Sequence, residues 1–267
     1  MNQITQPEVQ MQGIEFWSNV CDNEISLIAQ EEEARQHKRA PEEHCYYYAK
    51  GALPQLVPLV LQLMASSGEE EDPDEWTVSK AAAVCLDLLS ACVRDEILPH
   101  VVPFVSNYVH HGEWQWRDAA VQAFAAILDG PMPDNLRGLI DQALLPLLQL
   151  KNDPSPQVKD SLAWALGRIC DLIPEAVIND TWLQHVVSTL LEGLDMEARV
   201  ADNVCWAFNA MAEAAYAMAN QALKKPASYP LSPFFSAILG KLFEVVERLA
   251  DCSYTGERER QRERGRG

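Results

Sequence analysis

Two tryptophans, each followed seven residues later by a carboxylate, are the residues of this chain best equipped to do chemistry: Trp164 with Asp171, and Trp206 with Glu213. Two helical turns take about 7.2 residues, so on a helix each pair lies on one face. An indole face attracts a cation by ~0.5–2 kcal/mol depending on exposure, and a carboxylate beside it takes charge-assisted hydrogen bonds from the same guanidinium or ammonium. The pattern belongs to a wider column. Glu15 with Asp22, Val84 with Ala91 and Gln122 with Asp129 hold the same two places earlier in the chain, so four of five second places are acids. Stacked side by side, such pairs make a ladder of indoles and carboxylates suited to a lysine- and arginine-rich helix lying along it. The competing reading puts both tryptophans in the core and makes the acids solvated helix ends.

The elements that must position this column are read from a repeat. DAAVQAF (118–124), DSLAWAL (160–166) and DNVCWAF (202–208) place Asp118, Asp160 and Asp202 at intervals of 42 residues, each with a bulky apolar residue six positions on: Phe124, Leu166 and Phe208. A period of about 40 residues carrying two helical segments predicts an all-α HEAT-repeat solenoid, antiparallel helix pairs stacked into a right-handed superhelix. Carried backwards, the register puts Lys80 with Leu86, and Met11 with Trp17, in the same slots on second helices. First helices are expected at 53–64, 97–109, 136–150 and 182–194, where leucine and valine recur every three or four residues. Pro58, Pro103 and Pro146 are expected to bend them. The step from Met11 to Lys80 is too long for one repeat, and the excess is assigned to 22–50 and to SSGEEEDPDE at 66–75, a loop by composition. Residues 1–255 then form one solenoid of about five helix pairs, and the mixed-charge segment 256–267 is a disordered tail. With no polar cap at either end, the chain reads as the middle of a longer array.

Composition narrows the partners. A formal charge of -18 repels phosphate backbones and anionic lipid and attracts basic segments, which argues against nucleic acid. No apolar run reaches 18 residues and no secretory leader is visible, which argues against membrane insertion. Seven scattered cysteines suit reduced thiols in the cytosol or nucleus. Gly-rich phosphate loops, HExxH, CxxC and nucleophile elbows are absent, so the expectation is a binding protein without catalytic residues, cofactor or metal. His37, His44 and Cys45 match no zinc spacing. The acids Glu69, Glu70, Glu71, Asp72 and Asp74, with Trp76 close behind, read either as a solvated excursion or as an anionic arm that closes over a basic partner.

The strings QGIEFWSNVCD (12–22), YYAKGALPQLVP (47–58), WRDAAVQAF (116–124), WALGRICDLIPEA (164–176) and RVADNVCWAFNAMAEAAY (199–216) resemble the karyopherin-β, or importin-β, family of nuclear import receptors. The likeness runs from about residue 8 to residue 246 and covers approximately the family's seventh to eleventh HEAT repeats and the start of the twelfth. It implies an inner face that wraps the basic helix of the adaptor importin-α, an acidic loop that helps bind the small GTPase Ran, and further contacts with nucleoporins and basic cargo. It also implies residence in cytoplasm and nucleus and at the pores of the nuclear envelope. Carried over by position, the basic-helix residues are Glu15, Asp22, Trp76, Asp118, Trp164, Asp171 and Trp206, and the acidic loop is Glu69, Glu70, Glu71, Asp72 and Asp74. Asp118 rests on the resemblance alone, since the column treats it as a register residue. Pro73 interrupts the acidic run, the tail from about 249 departs from the family, and the family's flanking repeats lie outside this sequence. The alternatives are a structural HEAT scaffold, which has no use for inward tryptophans, and a truncated product without transport activity.

Overall fold

Leucine, valine and alanine at helical spacing bury one stripe of every segment, and each helix needs neighbours to cover that stripe. The computed structural model describes residues 7–66, 68, 75–221 and 228–248. Its helices are α1 (Pro7–Gln36), α2 (Tyr48–Met64), α3 (Val78–Val93), α4 (Leu98–Tyr108), α5 (Trp114–Ala126), α6 (Pro133–Gln149), α7 (Pro156–Leu172), α8 (Leu183–Gly193) and α9 (Ala198–Gln221). A tenth, α10, spans 235–248. Odd-numbered helices are the second members of the repeats and even-numbered helices the first, as the repeat register requires. The all-α, HEAT-type architecture is therefore the one the periodicity predicts. The helices fall into two compact units, Met1–Leu150 and Lys151–Gly267. The acids at 69–74 and the tail at 256–267 lie outside the described residues.

In the first unit α3 is the central helix, packed on α1, α2 and α5. Its Ala81, Ala82, Cys85, Leu86 and Leu89 are buried, and the register residues Leu86 and Phe124 are fully enclosed. The glutamate-rich stretch after Cys21, part of the excess over the repeat, is largely helical: α1 continues through it to Gln36. That extension has a purpose in the fold. Glu24, buried on α1, accepts hydrogen bonds from the backbone amides of Tyr48 and Ala49, and so caps the start of α2 from another helix. Farther along, Glu31 gathers the connection to α2, accepting from the Cys45 amide at 3.1 Å and lying 3.1 Å from His44 Nδ1. The prolines Pro58, Pro103 and Pro146 stand inside α2, α4 and α6, and each helix continues past them. At the turn after α5, Gly130 adopts φ +121°, and a Cβ there would overlap the Ser90 carbonyl oxygen. Only glycine fits that approach. Beyond it, Asp95 accepts from the Met132 amide at 2.8 Å and joins this turn to the corner between α3 and α4.

In the second unit α7 and α9 make the most extensive helix contact, and α8 packs on both. Leu166 and Phe208 are buried in the register slots. Asp160, also buried, takes Arg199 Nε at 2.5 Å and the Asn203 amide at 2.7 Å, so the register aspartate of one repeat is held by the second helix of the next. Burial pushes the Asp160 carboxyl above the usual aspartate range, against the opposing pull of Arg199 and Asn203. Gly193 admits the Val204 side chain, whose Cγ2 would stand 2.7 Å from a Cβ at 193. α10 is fastened by Lys241 to Asp195 at 2.9 Å and by Arg248 to the Leu194 carbonyl at 2.7 Å. No helix among the described residues is long and apolar enough to cross a membrane.

Candidate functional site

On α7, Trp164, Gly167, Arg168 and Asp171 stand at i, i+3, i+4 and i+7, and therefore share one face. Trp164 is half-buried and Asp171 exposed. The indole of Trp206, reaching over from α9, lies against Gly167: a Cβ there would overlap Trp206 Cζ3 and Cε3 and stand 3.2 Å from Cη2. The second indole thus lies over Gly167, which stands three residues after Trp164 and four before Asp171 on α7. Trp206 nevertheless remains 39% exposed, so part of the indole reaches solvent. Glu213, two turns along α9, is also exposed, with Asn209 Nδ2 donating to it at 3.2 Å. The bland expectation of two core tryptophans is therefore not met, because Leu166 and Phe208 fill the core slots beside them.

The electrostatics suit cations. Arg168 Cζ lies 5.7 Å from the centroid of the Trp164 ring, within the ~6 Å over which a guanidinium is drawn to an indole face. The site already shows, with its own arginine, the interaction a basic partner would make.

In the first unit, Glu15 and Asp22 lie exposed on α1, with Gln12 Nε2 donating to Glu15 at 2.9 Å. Val84 is 46% exposed on α3, and Asp129 is exposed just past α5, so the column positions face outward here too. Trp76 is 57% exposed immediately before Thr77, which caps α3 by accepting from the Lys80 amide. Asp118 stands apart from the rest. It is buried to 4% exposure and accepts from Gln122 Nε2 at 2.7 Å, so its carboxylate serves the interior of the array rather than an open face. The acids Glu69, Glu70, Glu71, Asp72 and Asp74 lie outside the described residues.

Two other features were not legible as sites in the sequence. An apolar cleft of about 220 Å³ opens between α4, α5 and α6, lined among others by Val105, Phe124, Ala143 and Leu147, with His110 at its polar edge. Tyr108 and Trp116 stack at 4.6 Å between centroids, with Phe104 and His111 beside them, forming a half-buried aromatic cluster where α4 meets α5. Among the described residues no group of three or more His, Cys, Asp or Glu could hold a metal ion, and the six described cysteines are free thiols.

Comparison with known proteins places this geometry. A HEAT-like repeat model matches residues 114–169, and a model of importin subunit beta-1-like repeats matches 185–255. Importin subunit beta-1 of Arabidopsis thaliana is 37% identical over 248 residues, which is 90% of this chain and 28% of that protein. Importin subunit beta-1 of Schizosaccharomyces pombe is 36% identical over 245 residues, 91% of this chain and again 28% of the relative. The solved structure of yeast importin-beta, Kap95p, superposes with a TM-score of 0.81 at 32% identity, covering 90% of this chain and 26% of that one. Kap95p solved with RanGDP gives 0.80 at 32% identity over 89% of this chain, and the Kap95:Nup1 complex 0.81 at 33% over 90%, each spanning 26% of the longer chain. The chain thus spans little more than a quarter of the relatives it matches.

Proposed function

Since this chain belongs to the importin-β family, we propose that it acts as part of a nuclear import receptor and that its indole and carboxylate face binds the basic helix of an importin-α-type adaptor. The observation that carries the reading is Trp206: an indole on a second helix that packs on Gly167 of α7, the helix that also carries Trp164 and Asp171, and yet stays 39% exposed. A core tryptophan would be enclosed, and a solvated one would not be seated. Glu15, Asp22 and Trp76 extend the same chemistry on the first unit, and the acids at 69–74 supply further negative charge. Asp118 contributes by holding its repeat together.

The other partners follow from the relatives. Kap95p is solved with RanGDP and with Nup1, which supports Ran and a nucleoporin as partners of the receptor to which this segment corresponds. The corresponding residence is the cytoplasm, the nucleus and the pores of the nuclear envelope, and the work is binding rather than catalysis. Titration of the chain with a lysine- and arginine-rich helical peptide tests the proposal. Binding that weakens when Trp206 or Asp171 is replaced supports it, and binding indifferent to both contradicts it.

A further inference from the structure

We infer that Gly167 is a positioning residue for recognition: its missing side chain is what fixes the orientation of Trp206 and keeps the exposed part of that indole presented to a partner. The inference rests on the basic-helix reading above and adds to it a residue that touches no partner. Gly167 is buried in the interior of α7, where glycine is a poor choice for helix stability, so its presence needs a reason in packing. The reason lies at the ring. A Cβ at 167 would overlap Cζ3 and Cε3, two adjacent carbons of the benzenoid half of the indole. A rigid ring cannot yield there by bending one bond; it must rotate as a whole.

The surroundings decide which part moves. α9 is locked by Val204, Ala207, Phe208 and Met211, all buried within 4% of full enclosure, and α7 by Leu166, Ile169 and Cys170. Separating these helices would open a close-packed core. Trp206, by contrast, already has 39% of its surface in solvent. Relief therefore comes from swinging the ring off its seat at Gly167 into water, away from the α7 face that carries Trp164 and Asp171. The helix itself gains from alanine's higher propensity, so Gly167→Ala is expected to fold.

The test uses the full chain labelled with 5-fluorotryptophan, the Trp206 signal being assigned by its loss in Trp206→Phe. In Gly167→Ala that signal is expected to move and narrow while the remaining tryptophan signals hold. Affinity for a lysine- and arginine-rich helical peptide should fall by roughly 2- to 30-fold, the range a lost cation–indole contact corresponds to. Gly167→Ala combined with Trp206→Ala should bind no more weakly than Trp206→Ala alone. An unmoved Trp206 signal in Gly167→Ala overturns the inference, and so does an affinity loss that persists in the Trp206→Ala background. If Trp206→Ala leaves peptide affinity unchanged while Gly167→Ala still moves the fluorine signal, the seat stands and the basic-helix reading falls. Should Gly167→Ala fail to fold, the unaltered chain decides: a nuclear Overhauser contact between the Gly167 α-protons and the Trp206 ring is required, and its absence overturns the inference.

Discussion

At the scale of single residues, exposure separates acids that the family resemblance groups together. Asp118 and Asp171 are both acids on second helices, yet one is enclosed and hydrogen-bonded by Gln122 while the other faces solvent. Asp118→Ala should therefore cost stability, about 1–3 kcal/mol for the unsatisfied partner it leaves, and hardly change affinity for a basic helix. Trp164→Ala and Trp206→Ala should do the reverse, each weakening that affinity by ~0.5–2 kcal/mol with little change in melting temperature. Thermal melts paired with peptide titrations check both directions, and an Asp118→Ala chain of unchanged stability but lost binding would contradict the assignment. Helical spacing was enough to find the column and to put Trp164 and Trp206 outside the core slots. It could not find Gly167, because an absent side chain leaves no mark on a hydrophobic pattern. It did set Asp118 apart as a register residue, and the burial of that carboxylate agrees with the spacing rather than with the resemblance.

At the scale of elements, the corners between helices are held by specific polar and backbone groups. Backbone donation from Cys45, then the neighbouring His44, holds the Glu31 carboxyl below the usual glutamate range. A lowered carboxylate pKa contributes stability that is present above the unfolded value, about 4.3, and is lost as pH falls through the lower folded value. The Cys45 amide resonance should accordingly titrate with a midpoint below about 4.3, and Glu31→Gln should abolish that titration; a midpoint at or above 4.3 would contradict it. Gly130→Ala should destabilise by more than about 1 kcal/mol, because its φ of +121° and the Ser90 carbonyl both exclude a side chain, and denaturant unfolding measures this directly. The helices themselves were legible from their periodicity: the expected segment 136–150 is found as Pro133–Gln149, and 182–194 as Leu183–Gly193. The stretch after Cys21 was not. Spacing marks it only as excess over the repeat, whereas Glu24 and Glu31 point back at the following connection and use the helix as a brace, a long-range role that local composition does not encode.

At the scale of the whole molecule, net charge and repetition decide the kind of partner. A formal charge of -18 favours basic segments over a Debye length of about 8 Å at physiological salt, and in the proposed reading the indoles add a short-range contribution that salt screens less. The repeat was plain in the sequence because one register runs through Asp118, Asp160 and Asp202. The same register passes residues 150 and 151 without a change of step. Affinity for a basic helix should fall as salt rises, and the residual high-salt binding should be the part most sensitive to the tryptophans. Calorimetric titration of the chain with a lysine- and arginine-rich helical peptide, at two salt concentrations and with Trp164 and Trp206 intact or replaced together by alanine, tests this most directly. The account predicts salt-sensitive binding that the double replacement weakens; a well-folded chain that binds no such peptide, or binds it equally well without either indole, would contradict it.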